Sequence, residues 1–525
     1  MAKLENPADA LPLLAFKIAP RQFDISYRFS NISLRDQIVR AQMLVGALIE
    51  AELVRTESPV NDGKFQLLIC GAGAAGLAAA KEAEANGISF VLIEKGPTVP
   101  GGVLMKTAKR YVSTAMYEWP NPNHTAHDYP LTRPKLLGHH NSITSTLDLA
   151  FDKPVEVNQF GNEIYDALQT DLNAWEANFN LFLAGANFKS IFSKNTTLSH
   201  STKKKLGNML YGKTSLHGVP LHSAKLPDVR LEKSGIAITQ VFNFQYVIYA
   251  VGYAVEAEHY NDEKQLPFIG YDSRPFWEAD SVSENNLGFT EPPRVAILGS
   301  GDGALQDALR CLVIPTLRHP LDVWDKLMEF SQIKGLPLYR SKNIQLALAR
   351  IAAADAYTTG GAIWTHKKHI FESLDEEFKN IIKFLIETEG KRLKPAVEGI
   401  LREDVQAVTI INRDGYFSKA YALNRFLVLL IEEIKRKYYP NITIPLNISS
   451  GNVRNFEQVG SDVRGARLTV NHLSGGTTVE EYELVIIRGG LDVDKSPTQL
   501  LGLSGRDTGR AELGRIPPPI RPPKR

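Results

Sequence analysis

The chain has 525 residues, a formal net charge of +2, 43% hydrophobic and 22% charged residues, the balance of an ordinary globular enzyme. Its length fits about three domains at ~100–200 residues each, and so small a net charge excludes an overall basic field aimed at nucleic acid or a membrane surface. No apolar run reaches the ~18 residues of a membrane span, the N-terminus lacks a leader's apolar core and cleavage site, and Cys70 and Cys311 form neither a C-x-x-C pair nor a disulfide framework, so a cytoplasmic protein is expected.

Residues 1–62 read as an N-terminal helical extension. Ser33-Leu34-Arg35-Asp36 has the form of a capping box, and Leu34, Ile38, Ala41, Val45 and Leu48 recur at helical spacing. The helix either packs on the following domain or pairs with a second copy of the chain.

Phe65 to Cys70 is an apolar run long enough for one buried strand. Gly71, Gly73 and Gly76 follow as G-x-G-x-x-G, an Ala-rich helix runs to Ala85, and Asn86-Gly87 ends it. Ile88 to Ile93 is a second strand, closed by Glu94. Each part has a mechanical reason. Gly71 allows the tight turn, Gly73 lets a pyrophosphate approach the backbone, and Gly76 lets the helix pack close to the sheet. The helix start, with Ala74 and Ala75, offers free N–H groups and a positive dipole end to phosphates. Glu94, with Lys95 beside it, stands where a carboxylate accepts hydrogen bonds from an adenosine ribose. A carboxylate there repels a 2′-phosphate, so this turn suits FAD or NAD. The plainer alternative is a glycine-rich turn in an ordinary βαβ unit.

After Glu94 come a short loop and Gly101-Gly102. A strand-end acid, a short loop and a Gly-Gly pair resemble the FAD-binding domain of the two-dinucleotide-binding flavoproteins. That superfamily includes pyridine-nucleotide-dependent reductases and flavin monooxygenases, with amine oxidases as distant relatives. The resemblance implies that Gly101 and Gly102 pass beside the FAD pyrophosphate. Val103 stands where amine oxidases usually carry arginine, which counts against that branch. Lys106, Lys109 and Arg110 either meet phosphate or form a solvated basic face. Residues 111–145 read as a loop path, in which the resemblance makes Tyr117 and Trp119 candidates for the flavin wall. His124, His127, His139 and His140 match no metal motif, and no metal is expected.

A helix from Gly161 to about Phe179 and a β-meander from Val229 to Tyr246 follow. The strand ending at Gly252 resembles the family's second marker, where the chain leaves the FAD domain, so residues 63–290 read as the first part of that domain. Residues 291–325 open a second Rossmann-like domain: Arg294 to Leu298 is a strand, and Gly299, Gly301 and Ala304 give G-x-G-x-x-A. Asp302 and Asp307 oppose an anion at that turn. The second strand is not identifiable, and Asp322 or Asp325 is a candidate for holding a ribose. Residues 326–440 read as a helical insertion, clearest at Glu376 to Glu387 and Ala420 to Lys437, which shapes a substrate pocket, forms a lid or makes an oligomer contact. Residues 441–504 return to strands, with a hairpin from Arg467 to Ile487, and then to the FAD domain, where Asp492 loosely matches the family's cofactor-contacting acid. The tail, 505–525, is proline-rich and reads as disordered.

The expected fold is therefore α/β: a Rossmann-type FAD domain, a second Rossmann-like nucleotide domain and a largely helical insertion. The resemblance implies an FAD-dependent oxidoreductase, reduced by NAD(P)H and passing hydride through the flavin to a small-molecule acceptor or to oxygen. The absence of C-x-x-C argues against a thiol–disulfide branch. Two alternatives stay open: a flavoprotein oxidase or dehydrogenase acting directly on an amine or similar small substrate, and a non-catalytic FAD- or NAD-binding regulatory protein. No catalytic acid, base or nucleophile stands out.

Overall fold

The computed structural model describes residues 13, 16–25, 34–56, 63–105, 110–113, 116, 119–120, 154–209, 225–252, 276–277, 280–331, 336–360, 368–418, 420–439, 445–459 and 465–490. Two six-stranded sheets carry the architecture. The first comprises β1 (Lys17–Ala19), β2 (Gln22–Asp24), β3 (Lys64–Cys70), β4 (Phe90–Ile93), β7 (Ser190–Ser193) and β11 (Asn243–Tyr249) in the order β1-β2-β11-β3-β4-β7. β2, β11, β3, β4 and β7 run parallel. Six of the seven residues of β3 are buried. A parallel strand covered on both faces needs apolar residues throughout, and this is why Phe65 to Cys70 shows no alternation.

The helical extension also brings β1 and β2 to the sheet edge, which the helical periodicity gave no sign of. Its helix, α1 (Leu34–Glu50), buries Ile38, Ala41, Leu44, Val45 and Leu48 in one core with Leu77, Ala78 and Ala80 of α2 (Ala74–Ala85). The apolar stripe of α1 is thus spent inside the same chain. Between Tyr111 and Leu231 lie β5 (Tyr111–Val112), β6 (Val155–Glu156), α3 (Val157–Leu183), β8 (Thr196–Leu198) and α4 (His200–Asn208). β8 joins β9 (Leu231–Lys233) and β10 (Ile236–Ala237) in a three-stranded meander.

The second sheet comprises β12 (Arg294–Leu298), β13 (Ala407–Asn412), β14 (Leu446–Gln458), β15 (Ala466–His472), β16 (Thr477–Tyr482) and β17 (Leu484–Ile487), in the order β16-β15-β14-β13-β12-β17. β17, β12, β13 and β14 are parallel, while β15 and β16 extend the sheet antiparallel. The run expected as one hairpin arm, Val479 to Ile487, breaks at Glu483. Its first part pairs with β15, and its second crosses to the far edge beside β12.

The second sheet repeats the first. β17-β12-β13-β14 correspond to β11-β3-β4-β7, α5 (Asp302–Leu312) to α2, and α9 (Ala422–Tyr438) to α3. The helix read from Ala420 to Lys437 is therefore part of this repeated frame and not of the insertion. The insertion lies between α5 and β13 and holds α6 (Pro320–Glu329), α7 (Lys342–Gly360) and α8 (Lys368–Glu398). It leaves and returns at one point: Ile314 N–H donates to Ile400 O at 2.9 Å, and Arg402 N–H to Leu312 O at 3.0 Å. One apolar core joins α5, the insertion helices and α9. Among the described residues, no helix is long and apolar enough to cross a membrane.

Candidate functional site

The first glycine turn links β3 to α2. Gly71 has φ +101°, and a Cβ there would lie 2.4 Å from Ala250 O; only glycine meets both conditions. Gly71 N–H donates to Ile93 O at 2.8 Å, and Ala250 N–H to Cys70 O at 2.8 Å, so β4 and β11 fix the turn from either side. A Cβ on Gly76 would meet Gly71 O at 1.7 Å, the close packing expected of the third glycine. Gly73 caps α2 with no side-chain bond, which leaves the helix start, with Ala74 and Ala75, to a ligand. Gly101 N–H donates to Ala72 O at 2.9 Å, bringing the Gly-Gly segment onto the turn. Beside Gly102 and Gly252 a Cβ would meet nothing within 4 Å.

Glu94 follows the last residue of β4. Its Oε2 accepts from Ala72 N–H and its Oε1 from Gly96 N–H, both at 2.7 Å. These bonds hold the carboxylate at the strand end and use one lone pair on each oxygen, leaving the others for hydroxyl donors. Lys95 is exposed beside it. Gly71, Gly73, Gly76, Glu94 and Gly101 thus converge on one turn.

The second turn reproduces three backbone bonds of this frame. Gly299 N–H donates to Ile411 O at 3.0 Å, Arg488 N–H to Leu298 O at 2.8 Å, and Ser418 N–H to Ser300 O at 2.9 Å. A Cβ on Gly299 would lie 2.3 Å from Arg488 O, and one on Gly301 would lie 3.6 Å from Ser418 O, the same distance as between Gly73 and Gly101 O. β17 exits at Gly490 as β11 exits at Gly252, with φ +86° and +83°. The Gly489-Gly490 pair is thus the exit of the second half; Asp492 lies outside the described residues.

Two sequence expectations change here. Asp302 and Asp307 do not face the turn. The Asp302 carboxylate accepts from Tyr421 N–H at 3.0 Å and from Asn424 at 2.6 Å, capping α9. Burial raises its pKa to about 6 despite these bonds and the one from Gln306. Asp307 points into the protein, described below. The second strand is β13, and the residue in register with Glu94 is Asn412, whose Oδ1 accepts from Gly415 N–H at 2.6 Å. Asp322 instead closes a capping box at the start of α6 with His319, and Asp325 lies within the same helix, so neither stands at the strand end.

A buried ionic cluster ties the halves together. Asp307, fully buried, accepts from Arg110, from Arg310 at 3.0 Å and from Arg488 at 2.7 Å. Asp280 pairs with Arg110 at 3.0 Å and Arg310 at 2.8 Å. The Phe276 ring lies 4.2 Å beneath the Arg110 guanidinium. Arg110, read as phosphate-facing or solvated, is neither; Lys106 and Lys109 lie outside the described residues. Burial alone would raise the Asp307 carboxyl, but Arg110, Arg488 and Arg310 hold it well below the usual carboxylate range. Trp119 is likewise no flavin wall. It packs edge-on against Trp324 at 5.0 Å and tilted against Phe426 at 5.4 Å, in the core of the second half. Tyr117 and the four histidines lie outside the described residues. Cys70 and Cys311 are free and buried, and burial pushes both thiols up.

Sequence reasoning missed Asn412, Arg413, Ser418 and Arg488. One signal was present: Ile-Ile-Asn412-Arg413-Asp-Gly415 parallels Leu-Ile-Glu94-Lys95-Gly96, an apolar strand followed by a polar acceptor, a cation and glycine.

In comparisons with known proteins, residues 69–133 match the family model of an NAD(P)-binding Rossmann-like domain. Curated protein sequences give no match. Among solved structures, bacillithiol disulfide reductase from Staphylococcus aureus aligns over 82% of this chain and 78% of its own, at 12% identity and TM-score 0.34. Thioredoxin reductase from Lactococcus lactis aligns over the same shares at 12% identity and TM-score 0.32. A cyclohexanone monooxygenase variant from Rhodococcus sp. Phi1, bound to NADP+, aligns over 82% and 73% at 14% identity and TM-score 0.33. Superposition at these scores is loose, and the functional reading rests on the chain's own residues. The two matched turns define a protein with two Rossmann-type halves in one chain, and the residues that match the family model begin in the first of these turns.

Proposed function

We propose that the chain is an FAD-dependent oxidoreductase that holds FAD at the first turn and takes NADPH at the second. The observation that carries this is the repeated frame with one exchange: Glu94 at the first strand end, Asn412 at the second. Glu94 accepts the ribose hydroxyls of the FAD adenosine, and the uncapped start of α2 meets its pyrophosphate. Asn412 carries no charge to repel a 2′-phosphate, and exposed Arg413 beside it supplies a cation. Asp302 and Asp307, the residues that spoke against a nucleotide at the second turn, are both engaged inside the protein. When bound, the flavin supplies the hydride transfer, from the nicotinamide to an acceptor or to oxygen. The chain's own thiols are too buried to relay electrons, which favours a small-molecule acceptor or oxygen over a protein disulfide. The oxidase reading, with hydride taken directly from an amine or similar substrate, keeps the first turn and leaves the second unused.

The test is anaerobic mixing of the FAD-loaded protein with NADPH and with NADH. Bleaching of the flavin bands by NADPH, and more weakly by NADH, is expected. Flavin that stays oxidised with both nucleotides refutes the role of the second turn, and a chain that fails to take up FAD refutes that of the first.

A further inference from the structure

The segment from Arg413 to Ser418 joins β13 to α9 and meets the second glycine turn. There Ser418 N–H donates to Ser300 O at 2.9 Å, and the two hydroxyls bond at 3.0 Å. Its near end turns at Gly415, φ +78°, whose N–H is held by Asn412. Its middle is held from the insertion. Phe417 N–H donates to Asp375 Oδ2 at 2.8 Å, Arg425 donates to the other Asp375 oxygen, and Arg425 Nη2 donates to Phe417 O at 2.8 Å. All three residues are buried. Asp375 stands on α8, and Phe371 and Phe378 share its helix face. Phe371 stacks on Tyr416, with ring centroids 6.0 Å apart and 5° between the planes, and the Phe378 ring lies 5.8 Å from the Arg425 guanidinium. Tyr416 in turn is close enough to Arg413 and Asp414 for both charges to act on its hydroxyl, whose pKa burial raises. In the first half the matching segment, Lys95 to Gly101, is met by the loop after β7 of the same sheet, where Asn195 N–H donates to Gly96 O at 3.1 Å. In the second half an inserted helix is built into the corresponding segment.

We infer that Asp375 and Phe371 are positioning residues for the second nucleotide site: through one face of α8 the insertion sets where the Arg413–Ser418 segment lies, and with it the preference for a nucleotide that carries a 2′-phosphate. The inference rests on the proposed reading of the second turn as the NADPH site. A guanidinium reads a phosphate through directional bonds that weaken steeply when misplaced. A segment free to shift loses affinity to the cost of being ordered on binding, and Asp375 and Phe371 remove that cost beforehand. Ser418 keeps its own bonds to Ser300 without them, so the pyrophosphate end is retained and the loss falls on the end that carries Arg413.

The experiment is calorimetric titration of the FAD-loaded full chain with NADPH and with NADH, with Tm measured alongside. Asp375→Ala removes the acceptor of Phe417 N–H and the partner of Arg425; Phe371→Leu removes the ring stack and keeps an apolar filling. Glu389→Ala, on the same helix but bonded to Ser341 and Asn343, controls for lost stability of the insertion. Asp375→Ala is expected to weaken NADPH by about fivefold or more and NADH by about twofold at most, and Phe371→Leu to weaken NADPH by about threefold. Glu389→Ala is expected to lower Tm and leave both affinities as in the wild type. Unchanged NADPH affinity in both Asp375→Ala and Phe371→Leu overturns the inference and leaves the NADPH reading standing. So does a loss that Glu389→Ala shares, which marks stability alone, or one equal for the two nucleotides. A wild-type chain that does not bind NADPH refutes the reading of the second turn itself, and the inference with it. If Asp375→Ala does not fold, Phe371→Leu decides alone.

Discussion

Replacing Asp307 by asparagine tests the cluster that holds the two halves together. The exchange keeps the shape and removes one charge. Oδ1 now accepts from Arg110 and Arg310, and Oδ2 from Arg488 and, at 3.4 Å, from Arg110. An amide leaves one edge as an NH2 facing guanidinium donors, whichever way it turns. Of the cluster's two carboxylates Asp280 then remains, bonded to Arg110 and Arg310, in a place where every member is at most 10% exposed. Breaking a buried ion pair on one side costs about 3–5 kcal/mol, and that is the expected loss for the second half. Trp119 and Trp324, in contact in its core, report that half. Urea unfolding followed by their fluorescence is the assay, with a transition per half where the two separate. Adding Arg110→Met, which removes one surplus cation, is expected to recover part of the loss. A loss below about 1 kcal/mol for Asp307→Asn would refute the reasoning, because such a cluster would then be solvated and not buried.

Asn412→Asp restores an acid at the second strand end and is expected to weaken NADPH by roughly 2 kcal/mol, about thirtyfold in Kd, while leaving NADH unchanged or tighter; direct titration calorimetry decides it. Gly71→Ala puts a Cβ 2.4 Å from Ala250 O at φ +101°, so a loss of at least about 2 kcal/mol and failure to retain FAD are expected, read by absorbance of the purified protein. Asp302 has a folded pKa of about 6, above that of an unfolded aspartate. The folded state therefore holds the extra proton, and this contribution to stability is present below about pH 4 and lost as pH rises through about 6. Asp302→Asn is expected to flatten the decline of Tm between those values; an unchanged slope would place the titrating group elsewhere.

The first site was legible because everything it needs is local. Strand, glycines, helix, strand and acid occupy Phe65 to Glu94, and neighbours in sequence are neighbours in space. Its mate was half legible. Gly299, Gly301 and Ala304 sat after an apolar strand, but the partner strand Ala407–Asn412 is displaced beyond three inserted helices, where an apolar run passes for part of a helical block. The orientation of Asp302 and Asp307 was not legible at all. An acid near a helix start can face a ligand, cap its own helix or reach another element, and only tertiary contact with Tyr421, Asn424, Arg110 and Arg488 decides. Trp119 misled for the same reason: its neighbours Trp324 and Phe426 lie far along the chain.

The meeting of the insertion's two ends, Leu312 to Ile314 against Ile400 to Arg402, bears on the order in which the chain folds. To pair β3 with β4 the chain closes the loop from Cys70 to Phe90; to pair β12 with β13 it closes the loop from Leu298 to Ala407. A loop roughly fivefold longer costs about 1.5 kcal/mol more in closure entropy. Helices that form early within the insertion and pack against each other bring those ends together and shorten the effective loop. The insertion thus acts as an intramolecular tether for the second half, which is expected to gain its sheet only after α8 has packed, whereas the first half needs no such step.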